Sequence, residues 1–275
     1  MKLKNQPRKK LRIVGVVPAR LGSERLPRKV LRELRGKILI EHVYRRTVKS
    51  PALSELWVAT DSEEVIEACK KRGIPALMTS DKHPSGTDRI YEVMKQRPAD
   101  VYVNIQGDEP LARPEHLDAL LNPFFTKKSI QVSTLKTKIS PELAKSPNVV
   151  KVVADREGRA LYFSRSIIPF DRDAGGVTGS QASYFKHLGF YAYTAGALEA
   201  FHRFSPSFLE RTEKLEQLRF LENGVPIFVA ETPFDTLGVD TEEDLQRAEE
   251  LLARELNSRK TFPAKTSISG KKERV

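Results

Sequence analysis

Four short apolar runs, each followed by a segment of helical periodicity, fill the first half of this chain and restrict it to folds built on a parallel sheet covered by helices. The runs are residues 13–17, 56–59, 76–78 and 101–105, and helices are predicted behind them at 38–48, 62–72, 87–96 and 114–124. Two helix starts are well marked. Asp61-Ser62-Glu63-Glu64 supplies capping oxygens and acids, and Arg113-Pro114-Glu115 places proline in a first turn. After Ser129 the rhythm changes, and residues 130–136, 149–154, 160–163 and 186–193 read as strands with few helices between them, an antiparallel insert. Residues 171–183, rich in glycine and small polar side chains, read as a mobile loop near a site or interface. Helices return at 195–204 and 209–222, then a strand at 227–230 and a last helix from Thr241. At 275 residues, one large α/β domain accounts for all of this.

The net charge of +11 raises the question of nucleic acid, and its distribution answers it. Residues 1–12 carry +6 and residues 257–275 carry +5, so the tails hold the whole excess and the body at 13–256 is formally neutral. The tails are polar and without hydrophobic periodicity. They are expected to be disordered and to make at most weak polyanion contacts, so a nucleic-acid partner is otherwise not expected. No apolar run is long enough to span a bilayer, and the basic start lacks the apolar segment of a secretory signal, so a cytoplasmic protein with no membrane partner is expected. The single cysteine, Cys69, falls in a helical pattern with Val65 and Ile66, where packing explains it better than reactivity.

The chemistry begins where the first strand ends. Residues 18–29 form a loop with four cations, Arg20, Arg25, Arg28 and Lys29, and Gly22 is expected to give the backbone freedom to approach a ligand closely. Ligands of open α/β sheets sit beyond the carboxyl ends of the strands, so a cationic loop there suits a polyphosphate. A solvated basic loop explains the segment equally well on its own. Asn104-Ile105-Gln106-Gly107-Asp108-Glu109-Pro110 follows another apolar strand, which should bring Asp108 to the same edge. A carboxylate facing phosphates calls for a cation between them, and magnesium commonly takes one or two carboxylates plus phosphate oxygens. An aspartate capping the next helix is the plainer reading. Asp240 precedes a helix already supplied with Thr241 as cap and with Glu242, Glu243 and Asp244 in its first turn, which leaves it free for a second metal position. Residues 79–89 form a polar loop opening into a helix, with Ser85 and Gly86 small enough for a flat base to approach, and His83 reads as a surface histidine.

In this order the motifs resemble the CMP-Kdo synthetase (3-deoxy-manno-octulosonate cytidylyltransferase) family from about Ile13 to Leu252. They are Pro18-Ala19-Arg20 with Ser23, Arg25, Leu26, Pro27 and Lys29; Val58-Ala59-Thr60-Asp61; Ser85-Gly86-Thr87-Asp88-Arg89; Gln106-Gly107-Asp108-Glu109-Pro110; Ala160-Leu161-Tyr162-Phe163-Ser164-Arg165 with Ile168-Pro169; His187-Leu188-Gly189-Phe190-Tyr191; Leu215-Glu216-Gln217-Leu218-Arg219; and Gly238-Val239-Asp240-Thr241. The resemblance implies a Rossmann-like nucleotidyltransferase fold, a mainly parallel sheet flanked by helices with an inserted antiparallel subdomain at about 129–193, usually assembled as a homodimer with the insert near the interface. It implies that Arg20, Ser23, Arg25 and Lys29 hold the phosphates of CTP, that Ser85 and Gly86 lie against the cytosine, and that Asp108 and Asp240 hold Mg2+. Arg165 would meet the carboxylate of the sugar, with Gln106, His187, Tyr191, Glu216 and Gln217 around its hydroxyls. For His187 and Tyr191 the bare sequence offers only that positions four apart in a strand share a face, and core packing of Tyr191 explains that too. Glu216 and Gln217 are expected on a helix whose Leu215, Leu218 and Leu221 face inward. The chain departs from the family at Arg28 and Val30, where Gly and Pro are usual, and Arg28 is expected to add charge beside the phosphates, as in the Pro-Arg-Lys order of CMP-sialate synthetases.

The activity implied is conversion of CTP and Kdo to CMP-Kdo and pyrophosphate for lipopolysaccharide synthesis. A related synthetase acting on 8-amino-Kdo or sialic acid would share the nucleotide half. A nucleotide sensor would lack a metal carboxylate or a phosphate cation, and none is missing here. A nucleic-acid-binding protein would work through the tails.

Overall fold

The computed structural model describes residues 11–261 apart from Glu24, Lys128, Ala174 and 177–182, and only the backbone beyond Glu255. Most of the two tails, and most of the loop expected to be mobile at 171–183, therefore lie outside the described residues.

The strands are β1 (Ile13–Ala19), β2 (Glu33–Leu34), β3 (Lys37–Ile38), β4 (Glu55–Thr60), β5 (Ala76–Met78), β6 (Val101–Asn104), β7 (Val132–Ile139), β8 (Lys151–Ala154), β9 (Ala160–Ser164), β10 (Tyr184–Thr194) and β11 (Ile227–Glu231). The helices are α1 (Leu39–Thr47), α2 (Glu63–Lys70), α3 (Gly86–Gln96), α4 (Pro114–Thr126), α5 (Pro141–Ala144), α6 (Ala195–Arg203), α7 (Phe208–Glu213), α8 (Leu218–Glu222) and α9 (Glu242–Thr261). Thus α9 continues five residues into the segment expected to be disordered. The main sheet has the order β11-β7-β10-β6-β1-β4-β5, with β8 and β9 added beside β10, and β2 and β3 form a separate hairpin. Around β1 the pairing is parallel, to β4 on one side and β6 on the other. The antiparallel insert does not stand apart from this sheet. β10 pairs antiparallel with both β6 and β7, so the inserted chain supplies central strands and only β8 and β9 form an outgrowth.

The apolar runs are continuous because their strands are covered on both faces. In β1, Ile13 and Val17 join α1, α2 and α4 in one buried cluster, while Val14 and Val16 join α3, α6 and α8 in another. Cys69 packs in the first of these clusters, and burial pushes its thiol up to about 11, so it stays protonated and inert. A third cluster gathers Leu26 and Leu34 from the segments flanking Lys29, Leu111 from the loop after β6, and Val239, Leu245, Ala248 and Leu252 around α9. These contacts bring together three stretches of chain that are far apart in sequence.

One local expectation fails. The helix predicted at 209–222 is two helices, α7 and α8, because Lys214 adopts a left-handed φ of 56° that ends α7. Glu216 and Gln217 consequently sit in the turn between them. Gly22 is not among the glycines at positive φ, and a Cβ there would meet no atom within 4 Å. In the loop after β6 a glycine is required at Gly107, where a Cβ would lie 2.6 Å from the Pro18 carbonyl oxygen.

Candidate active site

Register places the two loops of interest side by side. Val16 of β1 pairs with Asn104 of β6, so both strands end at one edge, and the absent side chain of Gly107 lets the loop after β6 lie against Pro18. The backbone N–H of Val239 donates to the Asp108 carbonyl at 2.9 Å and fastens the third segment there. Asp244 accepts from the N–H groups of Asp240 and Thr241, and its own N–H donates to the Thr241 hydroxyl. That reciprocal cap satisfies the start of α9 without using the Asp240 carboxylate.

Lys29 occupies the centre. Its Nζ donates to Asp108 Oδ2 at 2.6 Å and to Asp240 Oδ1 at 2.9 Å, and Arg25 pairs with the other Asp240 oxygen at 2.9 Å. Burial alone would lower the lysine pKa, but the two carboxylates outweigh it and raise it above the ordinary value. Beside Asp108, Glu109 is buried, and burial followed by the Asp108 charge pushes its carboxyl up to about 8. Burial and the adjacent Asp108 thus both favour the neutral form of Glu109. A cleft next to these groups is lined by Pro18, Arg20, Gly22, Ser23, Gly86 and Gln106 together with Lys29 and Asp108. Arg20 donates to the His83 carbonyl across its mouth. His83 is no free surface group, since its Nε2 lies 2.5 Å from Glu92. Arg28 turns away from the cleft. It pairs with Glu64 of α2, contrary to the expectation that its charge lies beside the phosphates.

Asp108 and Asp240 converge on one cation from distant segments, and both offer only oxygen. Among the described residues no group of three or more His, Cys, Asp or Glu side chains gathers as a metal site. A hard divalent ion that completes its shell with phosphate oxygens and water fits that donor set.

A second group of polar residues lies along β10. A bulge separates Leu188 from Tyr191 in its pairing with β7, and the rings of His187 and Tyr191, four positions apart, stand 5.4 Å from each other. Gln106 Nε2 donates to the Gly189 carbonyl inside the bulge at 2.9 Å. His187 Nε2 lies 2.9 Å from the Thr134 hydroxyl, and burial, aided by Lys186, lowers its pKa to about 3. Glu216 accepts from the Thr87 hydroxyl at 2.6 Å, and burial raises its pKa. Ser85 caps α3 through the N–H of Asp88, next to Gly86. Among the described buried polar atoms that make no hydrogen bond of normal geometry, Tyr191 OH, Asn104 Oδ1 and Gln217 Nε2 lie in this region, the first two beside Thr134 and Tyr193. Such groups are costly unless a ligand satisfies them.

The chain matches the Cytidylyltransferase family model over residues 14–230. It is 55% identical over 242 residues to 3-deoxy-manno-octulosonate cytidylyltransferase of Koribacter versatilis, covering 88% of this chain and 90% of that one. The enzyme of the same name from Acidobacterium capsulatum is 52% identical, with coverages of 88% and 97%. A solved CMP:2-keto-3-deoxy-manno-octonic acid synthetase in complex with CTP superposes with a TM-score of 0.84 at 42% identity, covering 89% of this chain and 99% of that one. This chain belongs to the 3-deoxy-manno-octulosonate cytidylyltransferase family. It is a nucleotidyltransferase, and among its described residues no helix is long and apolar enough to cross a membrane.

Within this cytidylyltransferase, Arg165 stands apart from the polar group on β10. Its Nε donates to the Glu213 carbonyl at 2.8 Å and its Nη1 to the Pro147 carbonyl at 3.3 Å, which ties it to the turn that carries Glu216. Carbonyls orient a guanidinium without neutralising it. Sequence reasoning missed what holds that corner. Lys151 is fully buried, and its Nζ donates to the carbonyls of Ser146, Val149 and Arg165 at 2.9, 2.6 and 2.6 Å. A lysine set among Val149, Val150, Val152 and Val153 was the available signal. Thr134 and Thr87, which orient His187 and Glu216, carried none.

Proposed function

We propose that this chain transfers the cytidylyl group of CTP to the anomeric hydroxyl of Kdo and releases pyrophosphate. The observation that carries the reading is the meeting of Lys29, Asp108 and Asp240 at the cleft mouth, from positions 211 residues apart in sequence. Arg20, Arg25 and Lys29 bind the phosphates, and Ser85 and Gly86 take the base. Asp108 and Asp240 hold magnesium, which when bound supplies polarisation of the α-phosphate and a lowered pKa for the attacking hydroxyl. Lys29 offers the leaving pyrophosphate a preorganised positive charge. His187 in its neutral form, with Tyr191, Gln106, Glu216 and Gln217, orients the sugar hydroxyls, and Arg165 meets its carboxylate. The new P–O bond forms on the face opposite the leaving pyrophosphate, so orientation of two anionic substrates is the main task of the protein.

We also propose a homodimer formed through the insert. Among the described strands β9 pairs only with β8, and Leu161 on it and Phe170 beyond it are 62% and 65% exposed, which supports burial against a second copy. Sedimentation at micromolar concentration reads the mass directly.

The test of activity is magnesium-dependent pyrophosphate release from each of four nucleoside triphosphates, with Kdo, 8-amino-Kdo and sialic acid offered separately. Release with CTP and Kdo is expected. Release with CTP and another keto-sugar acid alone would move the error to the β10 side, and no release from folded protein would overturn the reading.

A further inference from the structure

Helix α1 carries His42, Arg45 and Arg46 at the spacing of one helical face, and with Lys49 in the turn after it they line a groove of about 580 Å³ shared with the β2–β3 hairpin and α9. The hairpin adds Arg35 and Lys37, while Glu249 and Glu255 are the acids of the wall. Part of this charge is already balanced: Arg45 pairs with Glu41 at 3.1 Å and Arg46 with Glu255 at 3.0 Å, and Glu255 is shared with Arg113. Arg35, Lys37 and Lys49 have no ion-pair or hydrogen-bond partner among the described residues. Arg35 also occupies a left-handed position at φ 51°, beside Gly36 at φ 76°, so a guanidinium is held at a hairpin tip where a small residue would fold more readily. His42 Nε2 donates to the Leu34 carbonyl at 2.6 Å, which leaves its other ring nitrogen without a partner.

We propose that this groove is a second anion site, taking a small multivalent anion of the phosphate class. Its charge comes from Arg35, Lys37 and Lys49. The Arg45 and Arg46 guanidiniums, oriented by their existing pairs, add the forked donors that suit phosphate oxygens. Three unpaired cations in one concavity, in a body that is formally neutral as a whole, favour a compact polyanion over a monovalent carboxylate. The groove shares no lining residue with the nucleotide cleft.

The probe is inorganic tripolyphosphate, titrated calorimetrically into full-length Arg20→Ala/Lys29→Ala protein, in which the nucleotide cleft is weakened. Histidine ring resonances are followed in parallel. Saturable binding near one equivalent, with movement of the His42 signals, is expected. Adding Arg35→Ala/Lys37→Ala/Lys49→Ala should weaken binding at least about tenfold and leave the His42 signals in place, at an unchanged melting temperature. Binding that survives removal of the three cations, or a non-saturable shift abolished alike in both proteins by about 0.15 M chloride, would mean an adventitious ion only and would overturn the proposal.

Discussion

The two sides of the cleft are kept in opposite electrical states. On the nucleotide side, full charges are already neutralised by one another: Lys29 by Asp108 and Asp240, and Arg25 by Asp240. On the β10 side the groups are neutral or driven toward neutrality, with His187 lowered, Glu216 raised, and Tyr191, Asn104 and Gln217 each holding an unsatisfied polar atom. A charged cluster must exchange partners when phosphates arrive. An unsatisfied polar wall has only to be met. The first arrangement suits stabilisation of developing charge, and the second suits discrimination, because a ligand lacking the right hydroxyl leaves the wall's buried polar groups unpaired.

The largest break in this comparison comes from Asp108→Ala, for which turnover is expected to fall by about 10³-fold, on the scale of losing a charge-stabilising group. Circular dichroism should be unchanged and the melting temperature nearly so, since the pair it forms is partly exposed. Retention of turnover within tenfold would show that the Lys29 cluster is structural. Tyr191→Phe sharpens the other side. Removing a buried hydroxyl that makes no hydrogen bond of normal geometry should change stability by no more than about 1 kcal/mol, while the KM for the sugar acid rises about tenfold and that for CTP does not. Equal rises in both KM values would erase the distinction between the two sides.

The nucleotide side was legible in the sequence because each of its parts leaves a strand end directly. Arg20 follows β1, and Gln106 to Asp108 follow β6, so a strand assignment also assigns an edge. Asp240 was legible through the surplus of caps after it. The β10 side depends on events with no local signature. The bulge that draws His187 to Tyr191 is a mismatch with β7, fifty residues earlier, and the left-handed Lys214 that turns Glu216 inward sits in a segment of good helical pattern. Insertion of β10 between β6 and β7 is likewise a matter of pairing rather than propensity, which is why a central strand read as part of a separate insert. At Arg28 composition misled. Four cations in one loop look alike in sequence, and only the backbone angle shows which one faces elsewhere.

A smaller effect is expected from His187, and its sign follows from a folded-state pKa of about 3 against an ordinary 6.5. The folded protein keeps the ring neutral while the unfolded chain protonates it. The associated stability is complete above about pH 6.5 and is lost progressively as the pH falls toward 3. His187→Gln should therefore flatten the decline in melting temperature between about pH 6 and pH 4. Ring resonances of His187 should show no titration across the same range. A midpoint near 6 would place the ring in contact with water or an acid and remove the neutral character claimed for this side.

Arg28→Gly should change least, although it alters the residue beside Lys29. A left-handed φ of 57° costs a non-glycine residue about 1–2 kcal/mol, which glycine would recover. Against this stand the extra chain entropy of glycine, about 0.5–1 kcal/mol, and loss of the Glu64 pair. With side chains 62% and 43% exposed, that pair contributes about 1 kcal/mol at most. Near-cancellation is expected, with a stability change within about 1 kcal/mol and a KM for CTP altered less than about threefold. Two cations adjacent in sequence would then differ in importance by about two orders of magnitude, with Lys29→Met as the paired measurement. A tenfold rise in the KM for CTP would mean instead that Arg28 leaves Glu64 and joins the phosphates, and the boundary of the charged cluster would have to be moved to include α2.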